Sequence, residues 1–342
     1  MNIAHRFDVD DMHTAGEPVR ILRADDLLLV QDDVLAYRRL LRDSHDHIRQ
    51  ALMLEPRGHA DMYGALIFEN LKDADLGAVF IHNSGYSTMC GHATIALGRW
   101  LYEQDPEKEH QSHYAKNFRI QCPCGPVEAH VSATEEGSVT TSFDSVGCFA
   151  EGLDEYANIP GLGDVRYDIG YGGAYYAILP ASSLGLDFHE TPVAKLREVA
   201  VMITDHLRKT RPIKHPDEAD LSFLYGTILT DDRDAGHASG HTANLCVFAQ
   251  GQIDRSPTGS GVCARLAVDQ AKGLISPGRS VRFSGLSGQP FSAEIMHADT
   301  AQIKVRVTGQ SFFYGQSRLF VEAGDPLGNG LRIPHSLSAL KT

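Results

Sequence analysis

A cysteine and a threonine, each opening a stretch built like a buried helix, are the residues of this chain best placed to do chemistry. Cys90 sits in Ser87-Thr88-Met89-Cys90-Gly91-His92, followed by Ala93, Ala96, Leu97, Trp100 and Leu101 at helical spacing. Thr258 sits in Ser256-Pro257-Thr258-Gly259-Ser260-Gly261, followed by Ala264, Ala267 and Ala271, with Gly273 as the stop. The unpaired amides and the dipole of a helix's first turn favour negative charge. A free thiol titrates near roughly 8.5, and this position is expected to lower Cys90 by about one unit or more, giving usable thiolate at neutral pH. Gly91 lets a ligand approach the backbone, and first-turn amides suit a carboxylate. Two such helix starts facing each other would grip one carboxylate from both sides and make proton transfer at its α-carbon feasible. The pattern is met equally well by a buried cysteine that simply opens a core helix.

The elements that must position these residues read as mixed α and β. Strand-like runs occur at Val139 to Phe143, Ala174 to Leu179, Leu245 to Phe248, Val281 to Ser284, Gln302 to Val307 and Arg318 to Val321. Thr191 to Arg208 predicts an amphipathic helix with a threonine cap, Pro192 in first position and Val193, Leu196, Val199, Ala200, Ile203 and Leu207 as its buried stripe. The two alanine-rich helices differ, being small enough all round to be enveloped by sheet. Cys90 and Thr258 lie 168 residues apart, which reads as a pseudo-repeat of two halves, each wrapped round one helix. Pro160-Gly161-Leu162-Gly163 suggests the boundary, giving 1–160 with Cys90 and 161–320 with Thr258, and 321–342 returning to the first half.

Composition narrows the classes. With 342 residues, 42% hydrophobic and 22% charged, the chain supports one large domain or two ordinary ones and is no disordered tail. A net charge of -13 argues against nucleic acid, whose phosphates need Lys and Arg. The opening residues carry Arg6, Asp8, Asp10 and Asp11 without an apolar run behind them, so a secretory signal is not expected. No apolar run reaches the roughly 18 residues of a membrane span. Six cysteines in this length are too sparse for a disulfide scaffold, so a reduced, cytoplasmic protein is the expectation. A homodimer is compatible with all of this.

Met89-Cys90-Gly91-His92-Ala93-Thr94 and Asp254-Arg255-Ser256-Pro257-Thr258-Gly259-Ser260-Gly261 closely resemble the two signature motifs of the proline racemase family, which includes hydroxyproline epimerases. His13-Thr14-Ala15-Gly16-Glu17-Pro18, Glu55-Pro56-Arg57-Gly58-His59-Ala60-Asp61-Met62-Tyr63-Gly64 and Asp168-Ile169-Gly170-Tyr171-Gly172-Gly173-Ala174-Tyr175-Tyr176-Ala177 also look like family segments, in family order. The resemblance runs from about residue 11 to 315 and implies an α/β (α+β) fold of the diaminopimelate epimerase type. Two pseudo-symmetric halves would hold the substrate in the cleft between them. In family racemases two cysteines flank the α-carbon; Cys90 matches the first, but Thr258 stands in the second position. A hydroxyl is far too weak an acid to alternate with its anion near neutral pH, so two-base racemisation should fail.

The Cys/Thr pair looks like the trans-3-hydroxy-L-proline dehydratase branch, where one base suffices to remove the α-proton and expel the 3-hydroxyl, giving Δ1-pyrroline-2-carboxylate. The resemblance further implies that amides of Gly91 and His92, then Gly259 and Ser260, hold the carboxylate, and that Asp254 receives the ring ammonium, with His92 beside it. No metal, pyridoxal phosphate or nicotinamide is implied; the partner is a small substrate, hydroxyproline or a proline analogue. The alternatives are an epimerase or racemase with Thr258 in the second position, and a non-catalytic imino-acid binder. Cys263, five residues after Thr258, is expected to point away and pack, and Cys122-Pro123-Cys124 to be structural. His237 and His241, with Asp231, Asp232 and Asp234 nearby, lack the helix and third ligand of a metal site. Ser44-His45-Asp46-His47 reads as a solvated face. His13, Glu17, His59 and Asp61 read as a polar network under the cleft.

Overall fold

The computed structural model of the protein describes residues 2–24, 33–69, 71–110, 113–233 and 237–332. The chain opens with two antiparallel strands, β1 (Ile3–Thr14) and β2 (Glu17–Arg23), followed by α1 (Val34–Ser44) and α2 (Asp46–Met53). The strand β3 (Tyr63–Phe68) lies parallel to β2, and β4 (Leu76–His82) and the short β5 (Gly85–Tyr86) precede α3 (Gly91–Gln104). Three antiparallel strands close this run: β6 (Tyr114–Cys122), β7 (Gly125–Ala133) and β8 (Val139–Asp144).

The second run repeats the first. Strands β9 (Phe149–Ile159), β10 (Gly163–Tyr171) and β11 (Tyr175–Pro180) lead into α4 (Val193–Thr210). Then come β12 (Leu224–Thr230), β13 (His241–Phe248), the short β14 (Gln252–Ile253) and α5 (Gly259–Ala271). The strands β15 (Ser280–Ser284), β16 (Pro290–Ala298), β17 (Ile303–Gly309) and β18 (Ser311–Glu322) complete the described chain. The pairing types match strand for strand: parallel β2–β3 corresponds to parallel β11–β12, and parallel β4–β6 to parallel β13–β15. One strand breaks the sequential order. β18 pairs with β1, while its counterpart β9 pairs with β10. β8 against β17 joins the two runs edge to edge.

The expected strands all appear, usually longer than their apolar runs. Two local expectations change. The turn at 160–163 is the tip of the β9–β10 hairpin, where Gly163 faces Ile159, so a division drawn at 160 would cut paired strands. The helix expected from Thr191 begins at Val193 with Pro192 as its cap residue, because the Thr191 hydroxyl instead accepts the Asp187 amide at 3.0 Å. Residues 321–332 do pack on the first run: Leu331 bridges Glu55, and Arg57 donates to the carbonyls of Leu327 and Gly328. The remainder of the expected returning stretch, 333–342, lies outside the described residues.

α3 and α5 are buried nearly all round, which their small residues permit, and one hydrophobic core surrounds both. α1 and α2 cover a second core on the outside of β3 and β4, and α4 covers a third on β10 to β13. Each run is therefore a curved sheet with an amphipathic helical layer outside and one helix inside.

Candidate active site

The two enclosed helices meet start to start. A methyl on Gly91 would come within 2.5 Å of the Gly259 Cα, and one on Gly259 within 2.8 Å of the Gly91 Cα. Only glycine allows this approach of backbone to backbone. Cys90 is the cap residue of α3, its sulfur accepting the Ala93 amide at 3.4 Å. Thr258 is the cap residue of α5 but has φ 66°, ψ 88° and makes no side-chain cap. A β-branched residue at positive φ is strained by about 1–3 kcal/mol. Two bonds hold it there: its amide donates to Ser256 Oγ at 3.1 Å, and its hydroxyl donates to Asp254 Oδ2 at 2.8 Å.

Between these starts lies a narrow cleft. Every residue named in advance is in its wall: Cys90, Gly91, His92, Asp254, Thr258, Gly259 and Ser260. The first-turn amides of both helices have no intrahelical acceptor, so the wall between Cys90 and Thr258 is a double row of donors. His92 Nδ1 stands 3.1 Å from Cys90 Sγ and 3.9 Å from Asp254 Oδ2. The imidazole also bonds the Pro18 carbonyl. A carbonyl only accepts, so one ring N–H is spent there and the other nitrogen is open to the thiol proton. Burial holds His92 down at about 4, against the pull of Asp254, so the ring is neutral near pH 7.

The thiol departs from expectation. Cys90 is 4% exposed, and burial pushes it well above the ordinary thiol range, with the charges of Asp254 and Glu17 adding to the rise. Tyr63 and the Ala93 amide pull it down without winning. The lowered titration expected from the helix start is thus outweighed, because removing a charge from water costs more than one helix dipole returns.

Four large residues of the wall carried no assigned role in the sequence reading. Tyr63 stands edge-on to His92 at 4.7 Å, and the Tyr176 hydroxyl hydrogen-bonds Ser260 Oγ at 2.8 Å. Tyr225 and Phe248 stack at 5.2 Å. Tyr63 and Tyr176 fall within family-like segments, whereas Phe248 ends a run that reads only as a strand and Tyr225 lies in no segment singled out in the sequence. Glu17 is fully buried behind the site, its Oε2 accepting the Arg255 amide at 2.8 Å, and burial with the nearby Asp254 charge drives its carboxyl well up. His13 instead packs against the exposed rings of Phe312 and Tyr314. His59 and Asp61 line a larger neighbouring recess with Asn83, Gln252 and Arg332.

The residues set aside in the sequence have other partners. Cys263 is buried next to Cys148, away from the cleft wall. Cys122 ends β6 and Cys124 stands in the turn to β7. His237 bonds Asp269 at 2.8 Å and His241 bonds Ser284, while Asp234 lies outside the described residues. Asp46 does not face solvent freely but takes both ends of the Arg49 guanidinium at 2.7 Å. Among the described residues no group of three or more His, Cys, Asp or Glu is arranged to hold a metal ion, and no helix is long and apolar enough to cross a membrane.

Comparison with known proteins agrees with this architecture. The profile of the proline racemase family matches residues 9–332. Proteins named trans-L-3-hydroxyproline dehydratase from Xenopus tropicalis and trans-3-hydroxy-L-proline dehydratase from Homo sapiens are 42% and 43% identical, covering 94% of this chain and 94% and 93% of their own. A dehydratase of the latter name from Colwellia psychrerythraea is 38% identical over 94% of this chain and 90% of its own. Among solved structures, a hydroxyproline epimerase from Agrobacterium vitis with bound trans-4-hydroxy-L-proline superposes with TM-score 0.89 at 23% identity, covering 97% of this chain and 96% of that one. A probable proline racemase from Agrobacterium radiobacter gives 0.85 at 22%, covering 96% of each. These likenesses establish the diaminopimelate epimerase type of fold. A match over nearly the whole length, with both signature segments meeting at one cleft, leaves a single conclusion: the chain belongs to the proline racemase family.

Proposed function

We propose that this protein dehydrates trans-3-hydroxy-L-proline to Δ1-pyrroline-2-carboxylate, with Cys90 as its one base. The observation that carries this reading is the asymmetry of the cleft: a thiol at one helix start and, opposite, a threonine whose hydroxyl is committed to Asp254. The relatives named above support it. In this reading the amides of Gly91, His92, Gly259 and Ser260 hold the substrate carboxylate, and Asp254 accepts the ring ammonium. Thr258 positions Asp254 and makes no proton transfer. The cationic substrate nitrogen, entering beside the thiol, stabilises negative charge and draws Cys90 toward the thiolate, its proton leaving to solvent. The thiolate then takes the α-proton.

The electron pair of the Cα–H bond becomes the C2–C3 double bond. The C3–O pair leaves with the oxygen, which departs as water on taking up one proton, and the enamine tautomerises to the imine. In the trans isomer the α-hydrogen and the 3-hydroxyl share a ring face, so the elimination is syn and occurs on the Cys90 side. Strand pairing supports a division of the molecule into 2–144 with 311–322, and 149–309. The six cysteines, all free thiols, support a reducing compartment such as the cytoplasm.

Incubation with trans-3-hydroxy-L-proline, L-proline and trans-4-hydroxy-L-proline in D2O, followed by NMR of the α-proton, tests the reading. Pyrroline carboxylate should form from the first, with no inversion of the other two. Inversion of either would make the protein an epimerase, and inertness to all three a binder. A Thr258→Ala variant should keep dehydration within about tenfold, since it removes no proton carrier.

A further inference from the structure

The elimination has one demand that Thr258 and the amide clamp do not meet. Nor can Cys90, whose new S–H shares the face of the leaving hydroxyl, meet it while its sulfur is still taking the α-proton. Hydroxide is a poor leaving group, and its departure from C3 needs a proton donor in the transition state. We propose that the Tyr225 hydroxyl is that donor, a general acid aimed at the substrate's C3 oxygen. This rests on the dehydratase reading and assigns a residue that the signature motifs do not contain.

Tyr225 stands near the start of β12, in the second half, and lines the same cleft as Cys90 and Thr258. It is 5% exposed, and its hydroxyl has no hydrogen-bond partner among the described residues. The hydroxyls of Ser87 and Tyr63 lie beside it without bonding geometry to it. A buried phenol normally finds a partner, and this one has no freedom to look for one. Its ring is stacked on Phe248 with planes 15° apart, and meets Tyr176 edge-on at 5.7 Å and His82 at 6.0 Å. A rigid, unpaired donor in a cleft wall is what a substrate hydroxyl would complete.

The side of the cleft is also correct. The thiol of Cys90 acts electrostatically on Tyr225, and Tyr63 interacts with both. Thr258 turns its hydroxyl the other way, to Asp254. The leaving hydroxyl of the trans isomer lies on the Cys90 side, where Tyr225 is. Of the other phenols of the wall, Tyr176 is bonded to Ser260, and Tyr63 acts on the Cys90 sulfur. Burial keeps the Tyr225 phenol protonated in the free enzyme.

The protons balance. The α-proton arrives on Cys90 sulfur; the C3–O bond breaks with its electron pair on oxygen; the Tyr225 proton completes water. The phenolate oxygen then takes the proton from Cys90, directly or across the Tyr63 hydroxyl. Thiolate and phenol are both restored, and water is the only other product.

Tyr225→Phe removes the donor and leaves the ring. Its turnover of trans-3-hydroxy-L-proline should fall about 100-fold or more, the range for a lost general acid, with KM within about threefold. Elimination of chloride from trans-3-chloro-L-proline, which needs no proton, should stay within about threefold of wild type. Tyr175→Phe, which removes another buried unpaired phenol that is not in this wall, should leave both reactions unchanged. Dehydration by Tyr225→Phe within tenfold of wild type overturns the inference. So does an equal loss on both substrates, which would mark a structural role, or a change confined to KM. If wild type expels no chloride, the kcat on the hydroxy substrate decides alone. Wild type inert toward trans-3-hydroxy-L-proline would sink the dehydratase reading itself, a distinct outcome.

Discussion

At Cys90 two opposing influences act on one sulfur. The helix start, the Ala93 amide and Tyr63 favour the thiolate, while burial and the carboxylates of Asp254 and Glu17 oppose it, and the second set wins. A carbon acid as weak as an amino-acid α-carbon is met best by a base that is itself basic, so a raised thiol is an asset once the charged substrate nitrogen is in place. The free enzyme should then show little thiolate at pH 7. Because the folded thiol titrates above its ordinary range, the reactive fraction rises about tenfold per pH unit on the acid side of that value. Iodoacetamide should therefore modify Cys90 slowly at pH 7 and steadily faster through pH 9 with no plateau. A plateau below pH 8, read by mass spectrometry of the Cys90 peptide, would mean that the helix start prevails.

The elements that matter are α3 and α5, and their meaning lies in how closely they meet. Gly91 and Gly259 bring two helix starts into backbone contact, so the first-turn amides of both converge on one small space. A side chain at either position would strike backbone, which cannot rotate aside. Gly91→Ala should separate the helix starts, open the clamp and lower kcat/KM for trans-3-hydroxy-L-proline by more than about 100-fold, a loss typical of misplaced reacting groups. Gly98→Ala, whose methyl would meet the Thr141 side chain at 2.5 Å, is the comparison for packing strain without a change at the clamp. Equal losses in the two variants would remove the special standing of the glycine pair.

For the whole molecule, the consequential feature is the return of β18 to β1. Their ladder runs from Ile3 against Glu322 to Thr14 against Ser311, and Val321 enters the core beneath α1 and α2. The first run is thus closed by the last strand, after the second run is complete. Truncation before Ser311 would strip a full-length partner from β1 and expose its edge. Such a chain should lose about 10 °C or more of thermal midpoint relative to the full chain, or accumulate as aggregate. Scanning calorimetry of both separates the outcomes. If removal of β18 left stability intact, the closing role assigned to it would be wrong.

The family, the enclosed helices and the small residues at their starts that line the cleft were legible in the sequence, because each is a local matter. A cysteine or threonine before glycine, then alanines at helical spacing, marks a helix start wherever it occurs. The pairing of Thr258 with Cys90 across the cleft was legible too, through the spacing of two similar segments. What no local pattern contains is which strand a strand pairs with. β9 and β18 carry the same alternation as their neighbours, so the turn at 160–163 looked like a boundary and proved to be a hairpin tip. Nor does sequence show what a side chain does once it is surrounded. Phe248 reads only as the end of a strand and Tyr225 carries no signal of its own, and only the meeting of the two halves turned their faces to the cleft. The titration of Cys90 was decided in the same way. The chain sets the type of group at a helix start, but the tertiary fold sets how much water reaches it, and burial outweighs the dipole.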